Sequence, residues 1–397
     1  MTHRSGPLRG LTVVELGGVG PAAFCGMLLA DLGARVVQIA RPGSAAVFSD
    51  AHLRFGVVNR GRESVAIDLS RPEGVAAALR LVDGADAAIE GFRPGVAERI
   101  GVGPDACRER NPRLVYGRIT GWGHGGPWSD RAGHEANYVG LAGGLAPVSR
   151  AGEPAAPPAG QHGDIGAAAT FLALGVVSAL LEARSSGEGQ VVEASVVDSV
   201  AARMALAIGA AAARAADRVE RDTGANAPFG DTYRCADGRF VAVAAIEETF
   251  YSRLLGRLGL TGHPALVGDR FDRARWPGMR QVLTEVFLAR ARDEWCEVFA
   301  DADACVSPVL TVEEAMAHEH NRARGVYVDV GGSVQPAPTP RFSRTPPATP
   351  GPAVPAGANS TNVLRGAGLS AEEVSALLSS GVVVAGPTGG DGGRAAT

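Results

Sequence analysis

The residues between 11 and 39 constrain the fold more than any other stretch of the chain. Residues 11–16 favour an extended strand, and they end in the turn Gly17-Gly18-Val19-Gly20. Pro21 suits the first position of a helix, residues 22–32 continue it, and Gly33 stops it. Residues 34–39 then read as a second strand. Strand, crossover helix and strand form a unit whose strands pair in parallel, and a parallel sheet needs helices on both faces. The alternation continues, with strands expected at 64–69, 85–89, 114–119 and 190–196. Helices are expected at 72–82, at 165–183 (long and apolar, closed by Gly187) and at 198–218. The expected class is α/β.

Residues 1–218 are expected to form a large domain and 219–230 a linker. A smaller domain follows over 231–330, with strands at 232–234 and 238–244 and helices around 250–259 and 279–289. The Pro-rich stretch from about 334 to 356 is expected to be extended. Residues 331–385 return to the large domain and carry a helix at 370–379, while the Gly-rich tail 386–397 is expected to be disordered. Net charge is −4, and every one of the 38 basic residues is Arg. That balance gives no electrostatic reason to expect a nucleic acid or an anionic membrane as partner. The five cysteines, Cys25, Cys107, Cys235, Cys296 and Cys305, are scattered and odd in number. They fit neither a disulfide framework nor a zinc site, and a reducing, cytoplasmic setting is expected. No stretch of about 18 uninterrupted apolar residues suggests a transmembrane helix.

Gly18-Val19-Gly20-Pro21-Ala22-Ala23 fits a loose dinucleotide-binding pattern, but the acid expected after the second strand is missing. Arg41 stands there instead, suited either to a phosphate or to plain solvent. Arg60, Arg62 and Arg93 also follow strands, and ligands of open α/β sheets bind outside the carboxyl ends of the strands. Together they suggest a polyanionic ligand. His134, in Gly133-His134-Glu135-Ala136-Asn137-Tyr138, is flanked by Gly and polar residues, so its ring is expected to be reachable for proton transfer. Asp164, in Gly163-Asp164-Ile165-Gly166, reads first as a helix N-cap. Its second reading is a carboxylate beside free amides that can also stabilise an oxyanion. Glu247 and Glu248 follow a strand and would ordinarily face solvent. The residues alone therefore point to an α/β enzyme for a phosphorylated ligand.

Several motifs, taken in order, resemble the class III coenzyme A-transferase superfamily, which also holds the α-methylacyl-CoA racemases. They are Pro7-Leu8-Arg9-Gly10-Leu11 with Glu15-Leu16, residues 29–37, 59–69 and 91–95, and Asn111-Pro112-Arg113-Leu114-Val115-Tyr116. The resemblance runs from about residue 7 to 350. Residues 133–138 are similar to the racemase motif Gly-His-Asp-x-Asn-Tyr, and Ala245-Ile246-Glu247 with residues 303–310 resembles the racemase small domain. The resemblance implies an interlocked homodimer with a Rossmann-like large domain and a small α+β domain. The site would lie between the large domain of one chain and the small domain of the other. It implies His134 and Asp164 as two bases, with Glu247 holding the His134 ring. It implies coenzyme A contacts from Arg41, Ile67, Asp68, Leu69 and Ser70 and substrate contacts from Gly133, Glu135, Ala136, Asn137 and Tyr138; Arg62 and Arg93 join the coenzyme A contacts on their places after strands. No separate cofactor or metal is implied, because coenzyme A is part of the substrate.

The sequence departs from that pattern in four places. Glu replaces Asp at 135, Ala136 replaces a larger apolar residue, and Ala167 and Ala168 stand where racemases have Gly; all are expected to line the acyl pocket. The expected function is racemisation of 2-methylacyl-CoA thioesters. The alternatives are a coenzyme A-transferase with Asp164 as nucleophile, an NADP oxidoreductase favoured only by the glycine turn and Arg41, and a non-catalytic acyl-CoA binder.

Overall fold

A computed structural model describes residues 4–17, 20–43, 56–145, 161–216 and 227–387. Gly18 and Val19, most of the expected linker and the tail beyond 387 lie outside the described residues. The chain divides into two compact units, one of residues 1–142, 157–203 and 325–397, the other of residues 143–156 and 204–324. The Ala-rich helix expected at 198–218 is broken at Met204 into Val196–Arg203 and Ala205–Ala215, and the division falls at that break.

In the first unit the strands are β1 (Thr12–Gly17), β2 (Arg35–Ala40), β3 (Arg62–Ile67), β4 (Ala87–Glu90), β5 (Val115–Thr120) and β6 (Val191–Ser195). The second unit holds β7 (Gly230–Arg234), β8 (Phe240–Ala244) and β9 (Val306–Val309). The chain then returns to the first unit with β10 (Tyr327–Val330), β11 (Ser333–Pro336) and β12 (Val383–Val384). The large sheet has the order β12-β3-β2-β1-β4-β5-β6. Strands β1 to β6 are mutually parallel, and only β12 runs antiparallel, pairing Val383 with Ile67. This is the doubly wound 3-2-1-4-5-6 order, whose switch point lies between β1 and β4.

The near-continuous apolar strands are buried on both faces, as parallel sheets require. Helix α1 (Pro21–Asp31) has almost no amphipathic stripe, and Ala22, Cys25, Met27 and Leu29 are all buried. Helix α2 (Pro72–Val82) instead buries one face, Ala77, Ala78, Leu81 and Val82, in a core shared with Val65, Ile67 and Val383. The C-terminal return seals this core, since Val363, Leu364, Val374 and Val382 belong to it. The register between β1 and β4 shifts between Glu15 and Gly17. Gly17 has φ 141°, and a Cβ there would lie 2.6 Å from the Phe92 ring, so the switch point needs glycine.

Glu90 ends β4 beside Gly17 and is 2% exposed. Burial pushes its carboxyl up to about 7, against a 2.5 Å bond from the Phe92 amide that favours the charged form. A carboxyl raised in the folded state binds more protons than in the unfolded chain, so stability falls as pH rises from its ordinary 4.5 toward 7. Glu90→Gln should flatten this dependence, a change on the order of 3 kcal/mol across the window, read from denaturant unfolding at pH 5 and pH 8. Parallel slopes for the two proteins would contradict it.

The second unit is an antiparallel β7-β8-β9 sheet with a core of Phe229, Tyr233, Tyr251, Leu254, Phe287 and Trp295. Arg270 is buried with its guanidinium 4.7 Å from the Phe271 ring and 4.9 Å from the Tyr251 ring.

Candidate active site

All the parallel strands point their carboxyl ends to one edge, where Arg41 follows β2, Asp68 and Ser70 follow β3, Arg93 follows β4 and the segment leading to His134 follows β5. After β5 the chain enters Gly121 and Trp122, and the geometry there is dictated by one aromatic ring. A Cβ on Gly121 would lie 2.0 Å from Tyr138 Cζ, and one on Gly133 would lie 2.7 Å from the same ring. Tyr138 Oη donates to the Gly133 carbonyl. Trp122 packs edge-on against Tyr138 with centroids 4.5 Å apart and against Trp128 at 5.1 Å, and its Nε1 donates to the Arg131 carbonyl. Two glycines and a tryptophan thus clamp Tyr138, and with it the short helix α3 (Glu135–Leu141). His134 is the N-cap residue of α3, its amide donating to Asn137 Oδ1 at 3.1 Å, and its ring is exposed.

Asp164 comes from a different element. The helix expected from 165 begins earlier, as a π-helical stretch Gln161–Ala169 that runs into α4 (Thr170–Ser186). Asp164 is therefore inside the helix and not its N-cap, which corrects the first reading. The start of the turn is satisfied from outside: Glu135 Oε1 accepts the amides of His162 at 2.8 Å and Gly163 at 2.6 Å. A Cβ on Gly163 would lie 2.6 Å from Val139 and 3.0 Å from Val196, so glycine lets α3, the π turn and helix α5 (Val196–Arg203) converge. Arg203 on α5 donates to the His162 carbonyl at 2.6 Å. Asp164 Oδ1 is buried and has no hydrogen-bond partner among the described residues. Burial raises the Asp164 carboxyl above the ordinary carboxylate range; the negative charge of Glu135 adds to this, and the positive charge of His134 opposes it. The Tyr138 hydroxyl is also raised, first by burial and then by Asp164, with Arg93 opposing. Asp164 thus lies within electrostatic reach of His134, Glu135 and Tyr138, and Tyr138 within reach of Arg93.

A second group lies after β2 and β3. Asp68 Oδ1 accepts from the Ser70 amide and hydroxyl, which together with Arg71 and the exposed Arg41 lower its carboxyl. Of their neighbours, Ile67 is fully buried in the core and the half-buried Leu69 packs against it. Two arginines expected at a ligand turn inward. Arg62 pairs with Glu15 at 2.9 Å with both side chains 1% exposed or less, and it also donates to the carbonyls of Val58 and Ala23. Arg60 pairs with Asp31 at 2.6 Å and donates to the Pro336 carbonyl. A guanidinium held by a buried carboxylate is not free to meet a phosphate. The expectation that Ala167 and Ala168 line a pocket is corrected as well, since both are fully buried, and Glu135 is 6% exposed and faces the π turn. Glu247 lies in the second unit, at the N-cap of helix α6 (Glu248–Leu258), and is exposed. Its neighbour Glu248 is paired with Arg270. Trp122 and Arg203 were not singled out from the sequence; Trp122 lies in the glycine-rich run 121–126, and no local signal marks Arg203.

Helix α4 with its π turn is long and apolar enough to cross a bilayer by length and composition. One stripe of it, including Leu172, Val176, Ala179 and Leu180, is buried in the first unit, where Gly117 of β5 makes room for Leu172 and Val176. Phe171, Leu174 and Leu181 remain exposed.

Known proteins resemble this chain over nearly its whole length. The model of CoA-transferase family III matches residues 8–360. An alpha-methylacyl-CoA racemase of Mus musculus is 39% identical over 380 residues, covering 95% of this chain and 97% of that protein. The Homo sapiens alpha-methylacyl-CoA racemase is 37% identical with the same coverage. A succinyl-CoA–D-citramalate CoA-transferase of Chloroflexus aurantiacus is 32% identical, covering 86% and 89%. Among solved structures, a CAIB/BAIF family protein from Brucella suis superposes with a TM-score of 0.76 at 24% identity, covering 92% of this chain and all of that one. On the match across residues 8–360 and the identity to its relatives, this chain belongs to CoA-transferase family III.

Proposed function

We propose that the protein interconverts the (2R) and (2S) forms of a 2-methylacyl-CoA thioester by 1,1-proton transfer. One base takes the α-proton, and the C–H bonding pair moves into the carbonyl to give an enolate. The conjugate acid of the other base then returns a proton to the opposite face, and the thioester carbonyl is restored. His134 and Asp164 are the two bases. The observation that carries this is Asp164: a raised carboxyl whose buried oxygen has no hydrogen-bond partner among the described residues, in reach of the exposed His134. Native structures seldom leave such an oxygen unpaired without a reason, and a carboxyl raised toward neutral pH is better matched to moving protons. The 37–39% identity to racemases supports the same choice.

The enolate oxygen needs amide donors. Those of His162 and Gly163, at the start of the Asp164 turn, are taken by Glu135. The role passes to the amides of Glu135 and Ala136 that open α3, since those of Asn137 and Tyr138 already donate to the His134 carbonyl. Arg41 and Arg93, exposed at the carboxyl edge, are the cations suited to the phosphates of coenzyme A. We further infer a homodimer in which Glu247 of the small domain holds the His134 ring and the exposed Leu174 and Leu181 are covered.

Incubation of one enantiomer of a 2-methylacyl-CoA in D2O tests this reading. Deuterium should enter at the α-carbon as chirality is lost. Retained hydrogen and chirality, with coenzyme A passing to an added carboxylate, would instead make Asp164 a nucleophile.

A further inference from the structure

We propose that Glu135 is the residue that positions Asp164, by tying the start of the π-helical turn to helix α3; the proposal rests on reading Asp164 as a base. Glu135 is itself placed by the Tyr138 clamp, since both belong to α3. One carboxylate oxygen accepts two consecutive amides, His162 and Gly163, directly before Asp164. Two charge-assisted bonds from one buried oxygen fix both the height and the rotation of the turn. The partner oxygen, Oε2, is buried and makes no hydrogen bond among the described residues. The carboxylate is therefore held on one side only, by the turn it anchors. Val139 and Val196 close on Gly163, so the turn has no room to slide without losing those amide bonds. A side chain shorter by one methylene on the same backbone would pull α3 and the turn together or release one amide.

The arrangement also sets the charge around Asp164. From α3 it meets His134, Glu135 and Tyr138; on its own turn stands the exposed His162, whose carbonyl accepts from Arg203 of α5, and Arg93 from the loop after β4 acts on Tyr138. Of these, Glu135 is the negative group that adds to burial in keeping Asp164 protonated to higher pH. Positioning and proton affinity thus come from the same carboxylate.

Two variants separate the two effects without relying on turnover. Protein labelled with carbon-13 at aspartate carboxyls, with the Asp164 signal assigned by its loss in Asp164→Asn, reports the titration directly. Glu135→Gln keeps an acceptor of the same reach but no charge. It should leave hydrogen exchange of the His162 and Gly163 amides within a few-fold of wild type while lowering the Asp164 titration midpoint. Glu135→Asp keeps the charge and loses the reach, and should speed exchange of those amides by roughly tenfold, the loss of one such bond. With a 2-methylacyl-CoA, it should lower kcat more than it changes KM. Unchanged amide exchange in Glu135→Asp together with an unchanged Asp164 midpoint in Glu135→Gln would overturn the proposal. Should the wild type exchange no α-hydrogen, the base reading fails while the titration and amide exchange still decide the role of Glu135.

Discussion

His134→Ala should lower racemisation by roughly 10²–10⁴-fold, the usual worth of a positioned acid–base group. The loss should not be uniform. With His134 gone, Asp164 still faces one side of the α-carbon. The enantiomer whose α-hydrogen points at Asp164 should still exchange in D2O, with its configuration retained. The other enantiomer should neither exchange nor invert. The side chain of His134 is exposed, and α3 is held by the Tyr138 clamp and the Asn137 cap, so the variant should fold as the wild type does. An unaltered melting temperature beside the lost inversion separates chemistry from stability, and a His134→Ala protein with full racemase activity would remove His134 from the mechanism.

Asp164→Asn is the complementary change and should cost a similar factor, with the enantiomers exchanging roles. Asn fills the same space but cannot take up a proton. Its effect on stability has a definite sign. Because the folded protein raises the Asp164 carboxyl, ionised Asp164 costs stability at neutral pH. That cost is absent below the ordinary carboxylate range, grows as pH rises through the folded value, and is constant above it. Asp164→Asn should therefore match wild-type stability near pH 4 and exceed it near pH 8, while racemising far more slowly. Thermal unfolding at the two pH values checks this; a variant less stable at pH 8 than at pH 4, relative to wild type, would mean that the carboxylate has a partner in the fold. A variant more stable at pH 8 yet slower would be the stability–activity trade-off expected of an active-site group.

The parallel sheet was legible in the sequence because its strands are short apolar runs punctuated by glycine and proline, and the helix at Pro72–Val82 lies where its amphipathic pattern put it. The antiparallel strand β12 and the hairpin of β10 and β11 were not, since a two-residue strand and a Pro-flanked hairpin carry little periodicity. His134 and Asp164 were proposed from their flanking glycines and the family resemblance, but their surroundings were not legible. Whether Asp164 caps a helix or sits inside one depends on Glu135, 29 residues away, which satisfies the amides a cap would serve. Which arginines turn inward depends on where buried carboxylates lie. Arg62 is claimed by Glu15 and Arg60 by Asp31, partners that strand pairing and helix packing bring together across the unit and local sequence does not reveal.

The most direct test of the central claim, that two different bases serve the two faces of one carbon, is solvent-deuterium exchange by His134→Ala and Asp164→Asn with each enantiomer of a 2-methylacyl-CoA. Each variant should exchange the α-hydrogen of one enantiomer only, with retention, and the two variants should select opposite enantiomers. Exchange of the same enantiomer by both variants, or full inversion by either, would contradict the two-base account.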